Sequence, residues 1–217
     1  MSLLKQIWFG SGSALQIWTI DEDVELLFRK AELGEHEMSL YEKITHPKRQ
    51  LEFLASRVLL HNVYPENQIL YNQSGAPYLD NNPANVSVSH TDGVVCLLHS
   101  PQRCGIDVET IGSRALRLSH RFLSKSEMRF IDEEHPGRSA TLIWSVKETL
   151  FKMLRKEGID IATQLLVRSI EPKNHNTIRT SIITEKSESE HVVHFDFIGD
   201  KVLTWAFDEN QLCNEHI

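Results

Sequence analysis

The chain is poor in cysteine. It has three, Cys96, Cys104 and Cys213, an odd number with no CxxC pair among them. A disulfide framework or a zinc ribbon is therefore not expected, and a reducing cytoplasm is the simplest setting. Cys96, inside VVCLLHS, reads as a small buried hydrophobe. No apolar run approaches the roughly 20 residues that a membrane-spanning helix needs. The opening MSLLKQIWFG lacks a basic segment followed by a long apolar one, so no secretory signal is expected there. Positive charge is in deficit. The net charge of −7 argues against nucleic acid as a partner, and no basic, aromatic-rich groove is evident in the sequence. P-loop and dinucleotide fingerprints are absent, which argues against ATP and NAD enzymes. There is no low-complexity tract and no short repeat.

What is present is ordinary globular composition: 217 residues, 41% hydrophobic and 24% charged. That length supports one large domain or two small ones with a sizeable core. Short strands are predicted near KQIWFG and ALQIWTI. A helix is predicted from Glu22 to Leu33 with Asp21 as its N-cap. A longer helix should start near Pro47, since proline suits the first helical position. Its apolar stripe runs through Leu51, Leu54, Ala55, Val58, Leu59 and Val63, with Pro65 as the stop. QILYN, APYL, NVSVSH, VVCLLHS and CGIDVET then read as strands separated by turn residues. Ser124 and Glu127 fit a capping box for a helix in SKSEMRFIDEE. Another helix is predicted from Ala140 to Lys156, with Gly158 as its C-terminal cap. LLVRSIE, IRTSIIT, HVVHFDFI and KVLTWAF return to strand, and Gly199-Asp200 suits a hairpin turn.

Helices and strands come in separate runs, which predicts an α+β fold rather than a doubly wound parallel sheet. The two halves are loosely alike, each with helices packed on a small antiparallel sheet. Residues 1–103 and 104–217 are the expected lobes. No Pro/Gly-rich linker separates them, so tight packing as one unit is expected.

Two carboxylates, Asp107 and Glu109, sit in the strand CGIDVET, between the apolar Ile106 and Val108. Side chains alternate along a strand, so the two acids share one face, where they repel. On pattern alone, an edge strand guarded by charge against aggregation explains the pair. The segment IWSVKETLFKM offers a second clue. Leu142, Ile143, Val146, Leu150, Met153 and Leu154 form an apolar helical stripe. Glu148 and Lys152 are neighbours on roughly the opposite face, together with Trp144 and Phe151. An exposed Glu–Lys pair would be an ordinary surface device, but a fully solvated face rarely carries two large aromatics. Asp107, Glu109 and Glu148 together would suit Mg²⁺, a hard cation held by carboxylate oxygens, and the cation would offset the repulsion between the strand acids.

GIDVE (105–109) followed by WSVKETLFK (144–152) resembles the paired signature motifs of the 4′-phosphopantetheinyl transferase family, most closely its long, two-lobed, surfactin-synthetase-activating form. VSVSH (86–90), KRQLEFLASR (48–57) and FLSKSE (122–127) resemble further elements of that family in the same order. The likeness spans about residues 45 to 155. It implies Mg²⁺-dependent transfer of 4′-phosphopantetheine from coenzyme A to a serine of an apo carrier protein, acyl or peptidyl. Holo carrier and adenosine 3′,5′-bisphosphate would be the products. It further implies that Asp107, Glu109 and Glu148 hold the metal, with Glu148 also the candidate base for the serine proton. Lys152 would contact the phosphates, and Ser89 and His90 would hold the coenzyme. Arg49 and Arg57 are candidates for its 3′-phosphate, since guanidinium suits bidentate phosphate contact. On this reading the first lobe is the coenzyme A side, and the second holds the metal site and the carrier docking surface. The chain departs from many relatives at Gly75-Ala76-Pro77, where Ala76 stands in place of a lysine.

The expected partner surface is Arg114, Arg117 and Arg121, which at i, i+3 and i+7 share one face of a helix just after the acidic strand. Leu116, Leu118 and Phe122 would add apolar contact. An amphipathic helix with a solvated basic face fits the same spacing. A monomer is expected. Two alternatives stay open: a non-catalytic coenzyme A or nucleotide binder of the same fold, and a Mg²⁺-dependent phosphohydrolase.

Overall fold

The computed structural model describes residues 3–171 and 176–208. Cys213 lies outside them. The chain forms two compact units, Met1–Pro101 and Gln102–Ile217. The α+β expectation holds, with antiparallel pairing throughout the described sheets.

The first unit contains β1 (Leu3–Phe9), β2 (Ser13–Thr19), α1 (Val24–Ala31), α2 (Glu35–Tyr41), α3 (Pro47–His61), β3 (Ile69–Tyr71), β4 (Pro77–Leu79), β5 (Asn85–Thr91) and β6 (Val94–Ser100). A four-stranded sheet runs β1-β2-β6-β5, and β3 and β4 form a separate hairpin. Leu54, Ala55, Val58 and Leu59 of α3 pack against Trp18, Val86, Val95 and Leu97 of the sheet, which accounts for the predicted stripe. Helix α1 starts two residues later than expected. Asp23, not Asp21, caps it, accepting from the backbone N of Leu26 at 2.8 Å. Helix α2 was not anticipated. It is only seven residues long, too short to show an apolar period, and Glu35 and Glu37 occupy its first turn. Proline is at the start of α3 as expected, but the helix ends at His61, four residues before Pro65.

The second unit contains β7 (Cys104–Thr110), α4 (Ser113–Leu118), two 3₁₀ turns (Ser119–Arg121 and Glu127–Phe130), α5 (Pro136–Leu154), α6 (Ile161–Gln164), β8 (Leu165–Glu171), β9 (Thr177–Ile183), β10 (Glu188–Ile198) and β11 (Lys201–Phe207). Its sheet runs β7-β11-β10-β9-β8. Gly199 has a left-handed φ of 59°, and with Asp200 it forms the two-residue turn joining Ile198 to Lys201, as predicted. Helix α5 lies across one sheet face. Ile143, Val146, Leu150 and Met153 meet Val167, Ile178, Val193 and Val202 in the core. The helix begins at Pro136, earlier than predicted, because proline again takes the first turn. It ends through Arg155 in the left-handed region (φ 52°), so Gly158 (φ 74°) belongs to the turn beyond and is not the cap.

The predicted helix in SKSEMRFIDEE shrinks to the 3₁₀ turn Glu127–Phe130. Glu127 does accept from the backbone N of Ser124, as a capping box requires. Its carboxylate is fully buried, however, and also accepts from Lys147 Nζ (2.8 Å) and the Val167 backbone N (2.7 Å). Those partners lie in the core of the unit, so the turn is drawn inward and does not propagate. Among the described residues, no helix is long and apolar enough to cross a membrane.

Candidate active site

The site in the second unit depends on a glycine. Asp107 faces Thr204 across the β7–β11 ladder, Glu109 faces Val202, and Gly105 faces Ala206. Residues directly opposite in an antiparallel pair share a face. Val202 packs in the α5 core, and Thr204 bonds to Ser145 and Thr149 of α5. Gly105, Asp107 and Glu109 therefore face α5, while Ile106 and Val108 are buried on the other side. A Cβ at Gly105 would fall 2.1 Å from the Thr149 carbonyl oxygen and 2.9 Å from the Met153 backbone N. Only glycine lets the helix backbone approach β7 this closely. That approach brings the side chains of α5 onto the acidic row of the strand.

Trp144, Glu148 and Lys152 are spaced at i, i+4 and i+8, one line along the helix. Lys152 Nζ donates to Asp107 Oδ1 at 2.7 Å, and Asp107 is 3% exposed. Trp144 Nε1 donates to Glu109 Oε1 at 2.9 Å. The Trp144 ring also lies 5.2 Å from the Phe122 ring, which holds the indole in place. Glu148 is half-buried. Burial first, and then repulsion from Asp107 and Glu109, push its carboxyl up to about 7, against the attraction of Lys152. The same causes raise Glu109, first burial and then Asp107, offset by the Trp144 hydrogen bond, Lys152 and Arg114. The three carboxylates are thus electrostatic neighbours. Beside them opens a pocket of about 340 Å³, lined in part by Glu109, Arg114, Leu118, Arg121, Phe122 and Trp144.

Among the described residues, no group of three or more His, Cys, Asp or Glu side chains is arranged as it stands to hold a metal ion. Asp107 is turned to Lys152 and Glu109 to Trp144. The donor set still fits a hard cation: neighbouring carboxylates raise the proton affinity of Glu109 and Glu148, and the Lys152 ammonium rests on Asp107, as at a site that gains from positive charge.

In the first unit, Arg49, Glu52 and His90 form a cluster. Arg49 Nη1 lies 2.9 Å from Glu52 Oε2 and 2.5 Å from His90 Nε2, and His90 Nδ1 lies 3.2 Å from the same Glu52 oxygen. Ser89 precedes His90 on β5 and is buried. Arg57 is elsewhere. It is 2% exposed, its Nε lies 3.2 Å from Glu37 Oε1, and its guanidinium sits 3.7 Å above the Phe53 ring. Eight residues along a helix is a rotation of about 80° beyond two full turns. Arg49 and Arg57 consequently point differently, one outward and one into the unit. Ala76 is in the β3–β4 loop, where its N donates to Asn72 Oδ1 at 2.9 Å.

Arg114 and Arg117 lie on α4, and Arg121 on the 3₁₀ turn that follows. All three are exposed. Arg114 and Arg121 border the pocket, and Arg117 donates to Ser113 Oγ. Phe122 is buried against Trp144, so it is not a surface contact. The roles of Gly105 and Trp144 were not read from the sequence. Their signals were the glycine directly before IDVE and the tryptophan one helical turn before Glu148.

A comparison with curated proteins gives no match. Residues 103–206, from the threshold of β7 through almost all of β11 and carrying Asp107, Glu109, Glu148 and Lys152, match the family model described as the 4′-phosphopantetheinyl transferase superfamily; this part of the chain is similar to a domain of that superfamily.

Proposed function

We propose that the protein transfers 4′-phosphopantetheine from coenzyme A to a serine hydroxyl of an apo carrier protein, releasing adenosine 3′,5′-bisphosphate. The observation that carries this reading is the convergence of Asp107 and Glu109 with Glu148 and Lys152 inside the segment that matches the superfamily. Asp107, Glu109 and Glu148 are the residues that would hold Mg²⁺, which when bound supplies charge neutralisation at the pyrophosphate.

The protein's own groups divide the remaining work. Glu148, the electrostatic neighbour of Asp107 and Lys152, takes the proton of the attacking serine hydroxyl, directly or through a water. The serine oxygen bonds to the pantetheine-bearing phosphorus as that phosphorus parts from the bisphosphate oxygen. Lys152 offsets negative charge on the phosphates during that exchange. Trp144 fixes the direction of Glu109 through its indole N–H. Exposed Arg114, Arg117 and Arg121 offer a basic surface to the acidic carrier. Arg49, Ser89 and His90 are proposed coenzyme contacts. Arg57 is left out because its guanidinium is buried on Glu37.

The test is to incubate the protein with coenzyme A, Mg²⁺ and several apo carriers, then weigh each carrier by mass spectrometry. A phosphopantetheine adduct on at least one carrier is expected. No adduct on any of them, despite measurable coenzyme A binding, favours a non-catalytic binder. Release of phosphate from coenzyme A without an adduct favours a phosphohydrolase.

A further inference from the structure

One carboxylate oxygen in the site already carries a cation of the protein's own. Lys152 Nζ is 2.7 Å from Asp107 Oδ1, with the lysine side chain 28% exposed and the aspartate side chain 5% exposed. Asp107 is nearly buried on a strand and has little freedom to turn away. Lysine has a long flexible stem and a compact charge, so it can change partners cheaply. A divalent ion on the same carboxylate would meet an ammonium a few ångströms away, and two like charges that close repel strongly in a half-buried site. Movement of the mobile group, Lys152, relieves that repulsion most readily.

We propose that Lys152 is an exchangeable counter-ion: it neutralises Asp107 while the site is without ligands, and passes to the coenzyme's phosphates when the divalent cation takes Asp107. This rests on the reading of the site given above. The exchange couples the two ligands. Coenzyme A draws Lys152 away and so strengthens cation binding, and by thermodynamic reciprocity the cation strengthens coenzyme A binding by the same factor. The acidic row never faces its own repulsion without a positive partner, because either the lysine or the cation is always there.

Calorimetric titration with Mg²⁺ tests this without turnover, since no carrier is present. Four proteins are compared, with and without coenzyme A: the parent, Lys152→Gln, Lys152→Arg and Lys156→Gln. Lys156 is exposed and lies four residues further on, past the end of α5, so its replacement removes the same charge from the same end of the chain segment. Without coenzyme A, Lys152→Gln should bind Mg²⁺ about tenfold more tightly than the parent, about 1.4 kcal/mol by the usual conversion. Lys152→Arg and Lys156→Gln should stay within about twofold of it. The gain in Mg²⁺ affinity that coenzyme A gives the parent should shrink in Lys152→Gln. Equal Mg²⁺ affinity in the parent and Lys152→Gln, or an undiminished coenzyme effect, overturns the exchange while leaving the metal site intact. Failure of every variant to bind Mg²⁺, even with coenzyme A, overturns the metal reading and the exchange with it.

Discussion

At the scale of single residues, Gly105 and Glu148 set the terms of the site. A methyl group at position 105 must displace the α5 backbone, because the nearest atom, at 2.1 Å, is a main-chain oxygen rather than the end of a flexible side chain. Gly105→Ala is expected to cost roughly 1–3 kcal/mol, as overpacking does in tight cores, and to separate Glu148 and Lys152 from the acidic row. Urea denaturation checks it; a variant as stable as the parent would contradict the geometry. Glu148 gives a pH dependence whose sign follows from its raised carboxyl. The unfolded chain ionises this group at its ordinary value, lower than the folded protein does. Stability associated with it is therefore full below the ordinary carboxylate range and is lost as pH rises through about 7. With chelator present, Glu148→Gln should stabilise the protein at pH 8, by up to about 2 kcal/mol once solvent screening is allowed for, and should change nothing near pH 4. Equal stability of the two proteins at pH 8 would show that Glu148 is not electrostatically strained. Trp144→Phe keeps the ring against Phe122 but removes the N–H that Glu109 accepts. It should lower turnover by about tenfold with folding intact, one charge-assisted hydrogen bond being worth about 1.5 kcal/mol. Parental turnover in a folded Trp144→Phe protein would remove the tryptophan from the site.

At the scale of elements, the second unit hangs on a buried ion pair next door to the catalytic candidate. Lys147 Nζ is fully buried and bonds to Glu127, to the Phe122 carbonyl oxygen at 2.6 Å and to the Ile161 carbonyl oxygen at 3.2 Å. It ties α5 to the turn at Glu127 and to the start of α6. Lys147→Met should cost about 3–5 kcal/mol, because the Glu127 charge is left buried without its cation. Changing both residues to apolar ones should recover most of that loss in the same denaturation measurement. A loss under about 0.5 kcal/mol for Lys147→Met would mean that the pair is not what fixes the turn.

This pair also shows why part of the architecture was hidden in the sequence. The strands, the long helices α3 and α5 and the α+β class were legible because apolar period and turn residues repeat along them. The shared face of Asp107 and Glu109 was legible from strand alternation, and the line of Glu148 and Lys152 from helical phase. The collapse of SKSEMRFIDEE into one 3₁₀ turn was not, since its cause is a lysine twenty positions on and a backbone N–H forty positions on. Nor was the direction of Arg57, whose partner Glu37 lies on a helix without a readable period. Local pattern cannot report partners that only tertiary packing supplies.

At the scale of the whole molecule, the chain carries a net charge of −7 and yet exposes Arg114, Arg117 and Arg121 in one short segment, with Arg114 and Arg121 bordering the pocket. On the proposed function, long-range attraction to an acidic carrier would be poor, and docking would depend on this local patch. Reversing Arg117 and Arg121 to Glu should raise KM for the carrier by about tenfold or more, with KM for coenzyme A little changed and folding preserved. Unchanged carrier KM would move the docking surface elsewhere. If the acidic row of β7 and the facing line of α5 form one transfer site, loading of a carrier must depend on Asp107. Adduct formation on an apo carrier is followed by mass spectrometry for the parent and for folded Asp107→Ala, with coenzyme A and Mg²⁺ in excess. The parent should load the carrier and Asp107→Ala should be slower by about two orders of magnitude or more; loading by Asp107→Ala at the parental rate would remove the acidic row from the transfer site.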